Sequence, residues 1–226
     1  MPHDRERNPE RSRAAILDAA EQLFAERGYA AASLADVGAL AGVSRATPGY
    51  FFGSKAELYA AVMDRALDEV RSAVRAGRER GMASSRPVEE ILAGAVADYF
   101  DFLATHPNFV RLIEREALAG GRGTGAVPPR AAAGQEALAA IAAELGLDPS
   151  PSGDAAQLLL SIISLCWFPL VHAETVATAV GVDLSDPAHR ELRKRHVTAL
   201  VLHGLRGFHA SAGADAWREP VQDPTS

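Results

Sequence analysis

The amino-acid sequence predicts an all-α protein of about nine helices. Of its 226 residues, 48% are hydrophobic, many of them in alanine-rich runs, and no alternating β-branched stretch is longer than a few residues. Apolar residues instead recur three and four positions apart, and Ser, Gly and Pro separate these periodic segments. A chain of this length can form one large domain or two small ones that share a core.

The first two helices follow from their apolar stripes and end signals. Residues 13–27 form the first helix, and Gly28 is expected to end it as a C-cap. Ser33 is expected to cap a short second helix over residues 34–41. The predicted inner faces comprise Ile16, Leu17, Ala20, Leu23 and Phe24 in the first helix and Leu34, Val37 and Leu40 in the second.

Residues 33–52 are predicted to form a helix-turn-helix, because Gly42 ends the second helix and Ser44 is expected to cap a third one at once. The third helix contains Pro48 and Gly49, the two residue types least suited to a helix. With Ser44 as N-cap, Pro48 falls at the fourth helical position and removes only the first intrahelical hydrogen bond.

Ser54 then caps a long fourth helix that is expected to reach residue 80. Pro87 and Pro107 suit the first turns of a fifth and a sixth helix. Residues 120–129, "GGRGTGAVPP", are predicted to be a flexible loop.

The last three helices are predicted over residues 130–145, 154–180 and 185–209. Gly146 ends the seventh helix, and Pro169 is expected to kink the eighth.

Composition and charge narrow the functional classes. The net charge is −6, and residues 1–60 contain seven Arg and Lys against eight Asp and Glu, or 7 − 8 = −1, so any DNA contact must come from a local patch. The polar N-terminus does not resemble a signal peptide, and the longest apolar run, residues 158–171, is expected to be too short for a bilayer. We therefore expect a soluble, cytoplasmic protein with no membrane partner, in which Cys166 is a buried structural thiol.

Enzyme motifs are weak. Residues 42–46, "GVSRA", approach a nucleophile elbow, but a helix precedes the serine where that motif needs a strand. The glycine-rich residues 120–125 lack both a preceding strand and a Gly-Lys-Ser/Thr ending. His189, His196 and His203 are seven residues apart, about 10 Å along a helix, which is too far for one metal ion. We expect no enzymatic activity, no cofactor and no metal site.

Residues 13–62 resemble the DNA-binding domain of TetR/AcrR-family transcriptional regulators. The resemblance rests on the apolar stripe, the Gly-Tyr stop, the Ser cap, the Ala-Gly-Val-Ser turn, the aromatic end of the third helix, and Ser-Lys opening the fourth. It implies a helix-turn-helix domain over residues 10–70, a helical regulatory and dimerisation domain over residues 71–210, and flexible tails at residues 1–9 and 211–226. It further implies a homodimeric repressor that a small-molecule effector releases from a palindromic double-stranded operator.

The candidate DNA contacts lie around the turn. Arg45 at the start of the third helix suits a base edge or a phosphate, and Thr47 offers a hydroxyl and a methyl group. Tyr50 is the nearest replacement for a tyrosine that the family usually carries where Gly49 stands here. The full candidate set is Ser33, Ser44, Arg45, Ala46, Thr47, Pro48, Gly49, Tyr50 and Lys55, in which Ser33 and Lys55 are expected to bind phosphate.

The resemblance also implies a pocket in the C-terminal bundle. The candidate lining residues are Phe102, His106, Phe109, Trp167, Phe168 and His172, all of which are equally suited to an ordinary core. Three alternatives stay open: an effector that strengthens DNA binding, an activator, and an all-α ligand-binding protein that no longer binds DNA.

Overall fold

A computed structural model describes residues 9–84, 86–118, 128–151 and 153–211, with side chains for all of these except 128–133 and 206–211. These ranges contain nine α-helices, a short π-helix and no strand, which confirms the all-α prediction. The helices are α1 (Pro9–Ala31), α2 (Leu34–Leu40), α3 (Thr47–Phe52), α4 (Lys55–Ala83), α5 (Val88–Thr105), α6 (Pro107–Leu118), α7 (Pro128–Leu145), α8 (Asp154–Val171), the π-helix (Ala173–Ala177) and α9 (Pro187–Ser211).

Helices α1 to α3 and the first half of α4 share an apolar core, the N-terminal cluster. All five predicted inner residues of α1 are buried in it. Gly28 breaks the helical path as predicted, with a φ of +81°, a conformation that side chains other than glycine rarely adopt. In α2, Val37 is buried and Leu34 packs against the cluster while partly buried, whereas Leu40 is about half exposed, so the prediction for Leu40 is wrong.

The caps of α2 and α4 have the predicted serines and are reinforced in the same way. Ser33 caps α2 and Ser54 caps α4, and in each case an acidic residue three positions later, Asp36 or Glu57, binds the cap's backbone N–H in return. The serine hydroxyl, and after it the backbone N–H of the same cap residue, lowers the pKa of each carboxyl group by hydrogen bonding, because the ionised form is the better acceptor.

The remaining helices surround a second core, the C-terminal cluster, to which α4 to α9 all contribute. Helix α4 passes without a break from the N-terminal cluster into this one, where it packs along α5. Cys166 is buried in it, and burial raises the pKa of its thiol to about 12, as expected for a structural cysteine.

The eighth helix departs from its prediction. It ends at Val171, and the chain then forms the π-helix from Ala173, so that no single kinked α-helix reaches residue 180. Pro169 has no N–H for the Leu165 carbonyl, and Arg193 of α9 donates to that carbonyl instead, at 3.0 Å. The Leu165 carbonyl, which has no partner within α8, therefore takes part in a hydrogen bond that joins α8 to α9.

Helix α8 is also, within the described ranges, the one helix whose length and apolar composition would suffice to span a membrane. The helix reaches this length only because it extends the predicted apolar run, residues 158–171, by residues 154–157. The helix packs against α5, α6, α7 and α9 and buries Leu158, Ile162 and Cys166 in the C-terminal cluster.

The predicted loop and the predicted tails lie mostly outside the residues that the structure describes. Most of the predicted loop 120–129 lies outside the described residues, but Pro128 and Pro129 already belong to α7. Apart from Pro9 and Ser211, which end helices, the predicted tails also lie outside them.

Candidate nucleic-acid interface and bundle cavity

The turn between α2 and α3 differs from its prediction in where the helix begins. Helix α3 starts at Thr47 with Ala46 as N-cap, so the prediction that Ser44 caps it is wrong. The Ser44 carbonyl accepts from the Thr47 N–H at 3.0 Å, and the two hydroxyls share a hydrogen bond of 2.7 Å. Pro48 therefore occupies the second helical position, where an N–H has no intrahelical acceptor, and it costs the helix no bond.

Gly38 lets the turn close tightly on α2. A Cβ atom at this position would lie 2.9 Å from the Ser44 carbonyl oxygen and 3.2 Å from the Arg45 Cα. Both are backbone atoms that cannot move aside without moving the turn. This role of Gly38 was not predicted, although a glycine inside a seven-residue helix is a signal of close packing that the sequence contains.

The reading turn, residues 44–50, presents some of its candidates to solvent and hides others. Ser44, Arg45 and Ala46 are exposed, and Tyr50 is 87% exposed. Thr47 and Gly49 are partly buried. Pro48 is buried against α2, so the prediction that it contacts DNA is contradicted by its position.

Lys55 and Ser33 have bonding partners inside the protein. The Lys55 ammonium donates to the carbonyls of Tyr29 at 2.8 Å, Ala30 at 3.3 Å and Ala32 at 3.0 Å, which occupies its three N–H groups. The Ser33 hydroxyl donates to the Asp36 carboxylate at 2.6 Å, and that carboxylate would repel a phosphate. Both residues hold the α1–α2 connection, and these bonds engage the donors with which Lys55 and Ser33 were predicted to bind phosphate.

A cavity of about 530 Å³ lies in the C-terminal cluster between α4, α5, α6, α7 and α8. Phe109 and Trp167, two of the six predicted pocket residues, line it. Most of the wall consists of residues that were not predicted, among them Leu67, Val70, Arg71, Val74, Arg75, Arg78, Leu92, Val96, Tyr99, Ile113, Ile141, Glu144, Leu159 and Ile162.

The other four predicted pocket residues lie elsewhere. Phe102 is buried and stacks on His106, with ring centroids 4.1 Å apart, and both line a separate cavity between α1, α4 and the end of α5. Phe168 is 51% exposed and packs on His172 at the end of α8.

The polar edge of the 530 Å³ cavity consists of ion pairs between α4 and α7. Arg78 pairs with Glu144, and Arg75 pairs with Glu136 at 3.1 Å. Tyr99 lies in the wall, and burial raises the pKa of its hydroxyl.

Helix α6 connects the cavity wall to the N-terminal cluster. Arg115 donates to the carbonyls of Ala25 at 2.9 Å and Glu26 at 2.8 Å at the end of the straight part of α1. Tyr59 of α4 donates to the buried Glu116 at 2.6 Å, and Leu112 is part of the N-terminal core. These hydrogen bonds join α6, which lines the cavity, to α1 and α4 of the N-terminal cluster.

In the part of the chain that the structure describes, no three His, Cys, Asp or Glu side chains are grouped so as to hold a metal ion. Of the three histidines spaced by seven, His189 binds the backbone of Asp183 at 3.0 Å, and His196 and His203 are exposed on α9.

A helix-turn-helix that presents Arg45 and Tyr50 to solvent, joined to an all-helical bundle with a half-open apolar cavity, defines a class of DNA-binding transcriptional regulators. The sequence model of the bacterial regulatory proteins of the tetR family matches residues 16–62, and that of the tetracyclin repressor-like C-terminal domain matches residues 87–201. The chain belongs to the TetR family, whose members are non-enzymatic DNA-binding regulators.

Individual relatives agree with this assignment. The chain is 26% identical over 212 residues to the transcriptional repressor NicS of Pseudomonas putida, covering 89% of this chain and 96% of that one. It is 36% identical over 101 residues to the transcriptional activator FasR of Mycolicibacterium smegmatis, covering 45% of this chain and 44% of that one. The crystal structure of the regulator SCO4942 of Streptomyces coelicolor superposes with a TM-score of 0.62 at 26% identity, over 84% of this chain and 97% of that one.

Proposed function

We propose that this protein is a cytoplasmic, homodimeric repressor that binds a palindromic operator and leaves it when a small molecule occupies the 530 Å³ cavity. The observation that carries the proposal is the exposure of Arg45 and Tyr50 on the reading turn, at the start of the second helix of a helix-turn-helix. In this motif the start of the second helix enters the major groove while the first helix crosses the backbone.

Four side chains of the reading turn are our proposed DNA contacts. The Arg45 guanidinium suits a guanine edge or a phosphate, and the Tyr50 hydroxyl suits a phosphate. Thr47 and Ser44 offer hydroxyls at the same end of α3. The partly buried Gly49 leaves room between Tyr50 and the DNA backbone.

Dimerisation is supported by apolar side chains left exposed on α8 and α9. Leu160 is 58% exposed and Leu192 is 59% exposed, and Phe168 and Leu200 are also open to solvent. Large apolar side chains on two packed helices are typical of a surface that a partner covers. A second copy of the chain would bring a second reading turn to the other half of a palindrome.

Release by an effector follows from the position of the cavity. Its walls include α4, which begins beside the reading turn, and α6, whose Arg115 and Glu116 bind the N-terminal helices. A molecule that binds one arrangement of these helices better than another shifts the population of DNA-binding dimers. The free energy that couples effector binding to DNA binding cannot exceed the difference between the effector's binding free energies for the two arrangements.

The test is fluorescence anisotropy with the DNA upstream of the protein's own gene, at a stated salt concentration. We expect Arg45→Ala to weaken binding at least about tenfold, the loss typical of one charged hydrogen bond. Arg86→Ala is the matched control, because Arg86 is equally exposed but follows the far end of α4. Equal affinities for the two variants would contradict the proposed interface.

A second candidate function is activation, since the partial relative FasR is named an activator. A promoter–reporter assay with and without the protein separates the two. Repression predicts higher reporter output in cells that lack the protein, and activation predicts lower output.

A further inference from the structure

The walls of the 530 Å³ cavity are apolar over most of their extent. Leucine, isoleucine and valine side chains of α4, α5, α6, α7 and α8 line it together with Phe109 and Trp167. Its volume lies within the range of about 300–1,000 Å³ that small-molecule sites occupy. The body of a molecule that fills it must therefore be apolar.

The unused hydrogen-bonding groups of the cavity are donors. The Nε of Arg78 is buried and has no acceptor. Within the described ranges, no hydrogen bond of the Tyr99 hydroxyl is found. The two acidic residues of the wall, Glu136 and Glu144, already accept from Arg75 and Arg78. A buried donor without an acceptor costs free energy that a ligand oxygen would recover.

The charge of the wall agrees with this. Arg71, Arg75 and Arg78 oppose Glu136 and Glu144, so the lining carries 3 − 2 = +1. Arg71 pairs with Asp68, which is not part of this wall. An anion that takes Arg78 from Glu144 leaves that carboxylate without its partner, and the Glu144 side chain, which is 20% exposed, keeps access to water.

We infer that the cavity binds an amphipathic monocarboxylate, whose acid group bonds to Arg78 in competition with Glu144 and whose apolar chain fills the space toward Trp167. The inference rests on the proposed function, in which this cavity is the effector site. A carboxylate can accept two parallel hydrogen bonds from a guanidinium, one from the unused Nε and one from the terminal nitrogen that Glu144 now engages. Releasing Glu144 removes one of the ion pairs that tie α7 to α4, the helix that leads to the reading turn.

The binding test uses three probes of equal chain length: dodecanoate, 1-dodecanol and dodecylamine, each below its micellar concentration. The chain has two tryptophans, Trp167 and Trp217, so a Trp217→Phe background leaves Trp167 as the reporter in the cavity wall. We expect dodecanoate to quench Trp167 with a dissociation constant at least about tenfold lower than that of the alcohol, the ratio typical of one charged hydrogen bond, and the amine to bind least.

Two variants in this background should act in opposite directions. Arg78→Gln should abolish the preference for the acid while leaving binding of the alcohol unchanged. Glu144→Gln should tighten dodecanoate binding severalfold, because the competitor of the ligand is gone. Arg80→Gln is the control, since Arg80 lies on the same helix, pairs with Asp98 and does not line the cavity.

Equal binding of acid and alcohol, preference for the amine, binding of none of the three, or an acid preference that survives Arg78→Gln would each overturn the inference. Its failure is distinguishable from that of the proposed function. If dodecanoate binds but leaves the operator complex intact, the release mechanism fails and the ligand class stands. If an uncharged molecule in the cavity releases the operator and dodecanoate does not bind, the release mechanism stands and the proposed ligand class fails.

Discussion

Gly38 provides a sharp test of how the reading turn is held. In Gly38→Ala the new Cβ would lie 2.9 Å from the Ser44 carbonyl oxygen and 3.2 Å from the Arg45 Cα. Overpacking costs about 1–3 kcal/mol, and rigid backbone neighbours favour the upper end. Alanine recovers about 1 kcal/mol through its better helix propensity. The net loss is therefore about 2 kcal/mol, or about 4–8 °C in Tm for a chain of this size.

Gly49→Ala is the matched control for this substitution. Gly49 also lies within a helix, but its Cβ would meet only the Leu34 Cδ1, at 3.8 Å, which is an ordinary contact. We expect this variant to be more stable than the parent by about 0.5–1 kcal/mol, the usual gain from glycine to alanine in a helix.

Thermal unfolding and the anisotropy of a labelled operator, measured with both variants, test whether close packing at Gly38 holds the turn in place. We expect Gly38→Ala to lower Tm and to weaken operator binding at least about tenfold, since the turn that carries Arg45 must shift. A Tm for Gly38→Ala at or above that of Gly49→Ala would refute the claim that close packing on α2 holds the turn.

Three further predictions concern the exposed Tyr50, the bonds of Arg115 to α1, and the two carboxylates that complete the helix caps. Tyr50→Phe should weaken operator binding about fivefold, the worth of one hydrogen bond, without changing Tm because the side chain is 87% exposed, and unchanged anisotropy would remove Tyr50 from the interface. Arg115→Gln should destabilise the protein by about 1–3 kcal/mol and speed amide exchange at the end of α1, whose carbonyls Arg115 binds; parental exchange there would contradict the role given to α6. Asp36 and Glu57 have lowered pKa values in the folded protein. Their contribution to the free energy of unfolding is therefore complete above the ordinary carboxyl pKa of about 4 and is lost as pH falls through the lowered values. Urea unfolding at neutral and at acid pH should show that acidification removes more stability from the parent than from a variant with both residues changed to amides, and equal losses in the two proteins would count against this.

The features that the sequence predicted well are those with local causes. The apolar stripe of α1 and the serine caps of α2 and α4 depend on residues within one or two helical turns of each other. The assignment of Ser44 as a cap was wrong: the residue three positions later is Thr47, which shares a hydroxyl hydrogen bond with Ser44, and no acidic side chain completes a capping box there.

The features that could not be predicted from the sequence depend on contacts between residues that are far apart in the chain. Lys55 is a reasonable phosphate ligand by position, yet the carbonyls that it binds lie 23 to 26 residues earlier in the chain. The stripe of Arg71, Arg75 and Arg78 on α4 is visible in the sequence. Its partners on α7 are 61 and 66 residues away, so the polar edge of the cavity could not be identified before the helices were packed.

Selection of duplexes from a random DNA pool by the full-length protein tests the central claim most directly, because the protein itself chooses the sequence that it binds. We expect the enriched sequences to contain two inverted half-sites whose centres are about one helical turn, or 10–10.5 base pairs, apart or a multiple of it. Enrichment of a single unrepeated site, or no enrichment at all, would contradict the account of a paired reading turn in the major groove.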